Sequence, residues 1–154
     1  MRADWGPRAQ VKIFWFYQFQ NLFTLALACS AFMPAAYREG APGMPALLLS
    51  VLIWGVAVGG EALADAQLKA FKARPGSRHQ VCDEGLWRYS RHPNYFFECL
   101  HWVAYLPLAW GSPLWFWSLA APLVMALLIQ KISGVPLMER YQLMNKPGYA
   151  AYVR

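Results

Sequence analysis

Charged side chains are scarce in this chain, and that scarcity limits what it can be. Asp, Glu, Lys and Arg make up 14% of the 154 residues, against about 25% in soluble proteins. Cysteine is scarce too. Cys29, Cys82 and Cys99 are odd in number and form no C-x-x-C pair, which argues against a disulfide framework and against a zinc site. His79 and Cys82 have a ligand-like separation, but two ligands without partners read as an exposed loop pair. There is no internal repeat and no low-complexity segment. Nor is there an evident cleavable signal peptide: residues 1–8 are polar, and the apolar run after them lacks a well-placed small-residue cleavage site.

Apolar surface, in contrast, is abundant. Hydrophobic residues reach 58% and aromatic residues 16%, with eight Trp; soluble proteins run at about 45–50% apolar. The expectation is an integral membrane protein forming a single domain over 1–154, and a soluble helical bundle with an unusually greasy core is the weaker competitor. The net charge of +6 then reports membrane orientation and not nucleic-acid binding.

Four apolar runs, at about 13–36, 44–64, 95–110 and 114–132, lie near the ~20 residues that cross a bilayer, the third at the short end. Pro34, Pro42 and Pro45 punctuate the first connection, and Gly111-Ser112-Pro113 predicts a tight turn between the last two runs. Basic residues sort to one side of this pattern. Arg2, Arg8 and Lys12 precede the first run, and Lys69, Lys72, Arg74, Arg78, Arg88 and Arg91 lie between the second and third. Lys131, Arg140, Lys146 and Arg154 end the chain, while Arg38 alone falls on the other side. The positive-inside rule places both termini and the loop 66–91 in the cytoplasm, with Trp110, Trp115 and Trp117 as an aromatic belt opposite. The expected architecture is therefore all-α: four transmembrane helices with both termini cytoplasmic, in a multi-pass protein of the bacterial inner membrane. In the tail 133–154, Leu137, Tyr141 and Met144 recur at helical spacing opposite Glu139, Arg140, Gln142 and Asn145, which predicts a short interfacial helix. Gly55 and Gly59, spaced G-x-x-x-G, are read as helix packing.

Three clusters could carry chemistry. Glu61 and Asp65 stand one turn apart at the end of the second run, and a carboxylate near hydrocarbon is costly enough to demand a reason. The segment 85–98 brings Arg88, Arg91, His92, Asn94 and Glu98 to a proline-initiated helix start, where Pro93 costs nothing and the helix dipole favours an anion. Arginine forks, helix N–H groups and the Asn94 amide would suit a phosphate-bearing ligand. Topology and capping account for Arg88 and Arg91 but not for Asn94 and Glu98, which run along the helix into the apolar layer. Glu98 and His101 form an E-x-x-H pair, but a di-metal site would need a second one; the expectation is a hydrogen-bonded pair and no metal. Glu139, Lys146, Tyr149 and Tyr152 form the third cluster, placed either to close over a ligand near Asn94 or to anchor the tail at the interface.

The run 85–98 resembles the signature of the steroid 5-alpha-reductase-like membrane proteins, including bacterial relatives of unassigned substrate. The likeness extends to Glu61, Asp65, Gln67, Phe71 and Lys72 upstream, and to Trp102, Ser133-Gly134, Pro136, Glu139, Tyr149 and Tyr152 downstream. The wider superfamily also holds sterol reductases, enoyl reductases and membrane methyltransferases acting on isoprenylated cysteine or phospholipid. The resemblance implies NADPH at the cytoplasmic side of a helical membrane fold. Asp65, Lys72, Arg91, Asn94 and Tyr95 would contact it, with Arg88 and His92 counted in the same set, and Glu139, Tyr149 and Tyr152 would close the site. Glu98, beside the nicotinamide, and Asn94 are the candidate catalytic residues. The implied reaction is hydride transfer to an electron-poor carbon–carbon double bond of a lipophilic, steroid-like or enone substrate, with the cofactor as hydride donor.

Departures from the family pattern qualify that reading. Family members carry further helices ahead of the region matching Met1, and in the steroid reductases those helices supply the acid and tyrosine that polarise the substrate carbonyl. A chain lacking them is expected to be a fragment, a shortened product or a divergent form. Phe97 stands where a glycine is common, so the helix is expected to pack differently there. The alternative activity is an S-adenosylmethionine-dependent membrane methyltransferase, which shares an Arg-His-Pro motif followed by an aromatic; a third reading is a non-catalytic membrane fragment. Asn94 and the many basic groups favour the phosphate-bearing dinucleotide.

Overall fold

The computed structural model describes residues 8–132 and 134–153, so Arg2, Ser133 and Arg154 lie outside the described residues. Every regular element among the described residues is helical. Helix α1 spans Ala9–Ala36 and α2 spans Met44–Lys72. After 3-10 turns at Ser77–His79 and Gly85–Arg88 come α3, Pro93–Val103, and the four-residue α4, Leu106–Ala109. A 3-10 turn at Trp115–Leu119 leads into α5, Ala120–Leu127, which widens to a π-helical turn at Leu128–Ile132. Helix α6, Val135–Asn145, and the short α7, Tyr149–Tyr152, complete the chain.

Three helical stretches among the described residues are long and apolar enough to cross a membrane: Ala9–Ala36, Met44–Lys72 and Trp115–Asn145. Their large side chains point mostly outward. Trp15, Phe19 and Leu22 on α1, Leu48, Val51 and Leu52 on α2, and Leu123 and Leu127 on α5 are all more than half exposed. Apolar patches of this extent are untenable in water and ordinary in lipid, so the helices are those of an integral membrane protein.

The run 95–110 is not one of the three, because it is interrupted. Pro107 lacks a donor and its ring would clash with the carbonyl of Val103, four residues back. The N–H groups of Ala104 and Tyr105 turn instead to the carbonyls of His101 and Trp102, at 3.2 and 3.5 Å, and α3 ends there. Helix α2 runs eight residues beyond the apolar segment that ends at Ala64, since Gln67, Leu68, Lys69 and Lys72 are good helix formers with water for their polar face. The expected loop 66–91 is thus helical as far as Lys72.

Helices α2 and α3 form the most extensive contact in the fold. The spacing of Gly55 and Gly59 does not make it: both face open space, and the close approach is at Gly60. A Cβ there would lie 2.3 Å from the ring of Phe97, so a missing side chain on α2 makes room for the ring that α3 carries. Leu27 and Ala31 of α1 pack on Ala121 of α5, with Trp102 and Tyr105 against them. At Gly111, φ is +86°, and Ser112 N–H bonds the Ala109 carbonyl at 2.9 Å; the chain reverses there and brings α5 back against α3.

Candidate functional site

The loop between α2 and α3 is tied to α2 by three side chains. Trp87, buried, donates its indole N–H to the Ala64 carbonyl at 2.8 Å. Gln67 Oε1 accepts from Leu86 N–H at 2.9 Å, and a Cβ on Gly85 would stand 2.5 Å from that same oxygen. The φ of Gly85 is +58°, a region open to glycine at little cost. Cys82 is buried with Phe71 and Trp87 in a small core, and burial pushes its thiol pKa up. The expected exposed pair of His79 and Cys82 is therefore corrected: the apolar faces of Phe71 and Trp87 draw the small, weakly polar thiol inward.

Pro93 opens α3 as expected. Asn94 Nδ2 donates to Asp65 Oδ1 at 3.3 Å, and its own Oδ1 accepts from Tyr95 N–H. His92 stacks on Tyr95, with ring centroids 5.2 Å apart. Glu139 reaches from α6 to place Oε1 2.7 Å from Arg91 Nη1 and 3.5 Å from His92 Nε2. Neither contact is aligned as a hydrogen bond, so Glu139 Oε1 and His92 Nε2 are sealed from solvent without a hydrogen-bond partner, as is Gln142 Oε1 one turn along α6. Burial lowers the His92 pKa, against the pull of the Glu139 carboxylate.

The tail closes over this junction. Tyr152 donates its hydroxyl to the Trp87 carbonyl, and Tyr149 is buried. Burial raises both phenol pKa values. Lys146 is held below its ordinary pKa by burial and by the nearby Lys72 ammonium. Together Lys72, Arg91, Asn94, Gln142 and Lys146 line a cavity of about 60 Å³ beneath the two tyrosines. A second cavity, about 460 Å³, opens between α3 and the α5–π segment and shares Arg91, His92 and Tyr95 with the first.

Of the residues expected from sequence, Lys72, Arg91, His92, Asn94, Tyr95, Tyr149 and Tyr152 are brought to one cavity. Asp65 and Glu139 stand behind it, each touching a lining residue. Arg88 is exposed and lines neither cavity. Glu98 lies a turn deeper, where Trp102 Nε1 donates to it at 3.4 Å and the Glu61 carboxylate is close enough to repel it. The expected Glu98–His101 pair does not form, because His101 Nε2 meets the Tyr105 hydroxyl at 3.2 Å instead. Each instead meets an aromatic partner one turn on, at i+4. Among the described residues, no group of three His, Cys, Asp or Glu could hold a metal. Trp87 and Gln142 went unselected in the sequence. Gln142 sits at i+3 from Glu139, so helical spacing alone could have found it; nothing in the sequence singles out Trp87 as a cavity wall.

No curated protein and no solved structure shows significant similarity to the chain. A family model, described as protein of unknown function (DUF1295), matches residues 1–154. The chain therefore belongs to the DUF1295 family.

Proposed function

We propose that the cavity beneath the tail binds the phosphate-bearing part of NADPH, and that the protein is a membrane reductase of a lipophilic carbon–carbon double bond. One observation carries the reading. Lys72, Arg91 and Lys146 surround the cavity with Glu139, among the described residues, as the one carboxylate in ion-pair contact with any of them, and two of these cations already repel each other. An anion would relieve that repulsion, and Gln142 Oε1, a sealed acceptor, calls for a donor such as a ribose hydroxyl. S-adenosylmethionine carries no phosphate and would add positive charge, so the methyltransferase alternative gains nothing from this arrangement.

The donor set fits a dinucleotide in chemistry: guanidinium and ammonium groups for phosphate, the Asn94 amide for a polar edge, and the His92–Tyr95 stack as a flat apolar wall. The closed cavity has room for about two waters, so entry of a nucleotide requires the tail to lift from Trp87. When bound, the cofactor supplies the hydride. The chain's own part is to bind and orient it, with the larger cavity beyond His92 and Tyr95 as the place for a lipophilic substrate. Glu98 and Glu61, half-buried on the lipid side of that wall, are candidates for holding a proton near the reacting carbons. The steroid 5-alpha-reductase resemblance of 85–98 supports the same reading.

The topology belongs to the proposal. The α3–α4 segment serves as a short, broken fourth pass, which puts both termini and the 73–92 loop on the cytoplasmic side of a bacterial inner membrane, in keeping with the basic residues.

The test is nucleotide titration of the detergent-purified protein by tryptophan fluorescence, with Trp87 in the cavity wall as reporter. NADPH should quench and S-adenosylmethionine should not. Asn94→Ala and Lys146→Gln should each weaken NADPH binding about tenfold, which is about 1.4 kcal/mol. Unaltered affinity in both variants, or quenching by S-adenosylmethionine alone, would overturn the assignment.

A further inference from the structure

At the other end of α2, roughly 35 Å from the nucleotide site by helical rise, lies a cleft that this activity does not use. Its volume is about 540 Å³, within the range of small-molecule sites. Pro45 and Leu49 of α2, Leu106 of α4, and Trp110 and Trp115 wall it, and Arg38 stands at its edge. Except for Arg38 these walls are apolar. Trp110 and Trp115 lie with ring centroids 5.8 Å apart, as indoles do where hydrocarbon meets headgroups.

Arg38 is the one Lys or Arg between Lys12 and Lys69, and the only one in the connection from α1 to α2. Its Nη1 is sealed from solvent and has no hydrogen-bond partner. It makes no ion pair with a described residue; its neighbour Glu39 is exposed and unpaired with it. A guanidinium nitrogen sealed without an acceptor is unfavourable, and a cation on this side runs against the topology that the other basic residues follow. An anion from outside the described residues would satisfy it, and the apolar walls say that it arrives attached to a hydrocarbon chain.

We propose that this cleft is a binding site for an anionic glycerophospholipid, its phosphodiester forked by Arg38 and one acyl chain laid along Leu49 and Leu106 beside the two indoles. Charge complementarity names the headgroup, because a guanidinium matches phosphate with two parallel donors. A zwitterionic headgroup carries its own ammonium and leaves the guanidinium less to neutralise. The site is independent of the reading of the nucleotide cavity.

The experiment is photolabelling of the full chain in nanodiscs with phosphatidylglycerol or phosphatidylcholine carrying a diazirine in the acyl chain, with labelled peptides mapped by mass spectrometry. Labelling by phosphatidylglycerol should concentrate on peptides 44–52 and 104–119 and exceed that by phosphatidylcholine about tenfold. Arg38→Gln should abolish the preference and Arg38→Lys should keep part of it, because a point charge replaces the fork. Leu49→Trp, which fills the cleft and leaves Arg38 intact, should lose the label from both lipids. Equal labelling by the two lipids in the unmodified protein would sink the proposal, and that comparison needs no variant to fold. So would an unchanged preference in Arg38→Gln. Loss of the phosphatidylglycerol signal on adding millimolar inorganic phosphate would show a free-anion site instead of a lipid site.

Discussion

The hydroxyl of Tyr152 donates to the backbone carbonyl of Trp87, 65 residues earlier in the chain. Trp87 in turn donates its indole N–H to Ala64 of α2. Two hydrogen bonds in series thus connect the tail, the basic loop and a transmembrane helix, and they form one wall of the cationic cavity. The tail is also tied by the Arg91–Glu139 ion pair and by the burial of Tyr149. His79 Nδ1 lies 3.5 Å from the Asn145 carbonyl, and the Lys146 ammonium sits 6.0 Å from the Phe71 ring centre.

Tyr152→Phe should therefore loosen the tail without unfolding the bundle. One hydrogen bond is worth about 1 kcal/mol, so amide hydrogen exchange at residues 149–153 should rise about fivefold while the amides of α1 and α2 keep their protection. Unchanged exchange in the tail would mean that Tyr149 burial alone holds it.

Gly60 and Phe97 should be coupled. Gly60→Ala puts a methyl group 2.3 Å from the ring and should destabilise by about 1–3 kcal/mol, as overpacking does. With Phe97→Ala already in place, the same change should cost almost nothing. The check is a double-mutant cycle on thermal unfolding in detergent, where additivity of the two single changes would refute the contact.

Gly85→Ala combines two penalties, a side chain at φ +58° and a Cβ pressed on the Gln67 amide. A loss of about 1–3 kcal/mol is expected, with weaker nucleotide binding, because the turn positions Trp87. Adding Gln67→Ala should recover the steric part and leave the conformational part.

His92 makes stability depend on pH. Burial holds its folded pKa below the ordinary value of 6.5, so the unfolded chain takes up a proton first as pH falls. The contribution of the neutral ring is complete above pH 6.5 and is lost as pH drops through the lower folded value, at a slope of at most about 1.4 kcal/mol per unit. Melting temperature should fall from pH 7 to pH 5 and fall less in His92→Gln. In Glu139→Gln the acid loss should begin at the same pH but run to lower pH and grow larger, since the carboxylate that favours the imidazolium in the folded state is gone.

Much of this was legible in the chain because the signals are local. The apolar runs at 13–36, 44–64 and 114–132 became helices because a bilayer requires each backbone group to be satisfied within its own segment. Pro93 marked the start of α3, and the Gly111-Ser112-Pro113 turn was plain. The cationic cluster around Asn94 followed from residues adjacent in sequence.

Pro107 breaks the third run by a clash one turn back, a local signal that composition averages away but sequence position carries. Other features depended on which element lies beside which. Gly60, and not the G-x-x-x-G pair, meets α3, because the contact depends on helix rotation and on a ring from another segment. Cys82 is buried and Glu139 reaches Arg91 for the same reason. By itself the sequence determined that the chain is helical and apolar, where its positive charges gather, and which helix begins at Pro93. The tertiary structure alone decided which of those charges share a cavity and which side chains seal it. Hydropathy and capping act over a few residues, whereas packing is settled only when distant surfaces meet.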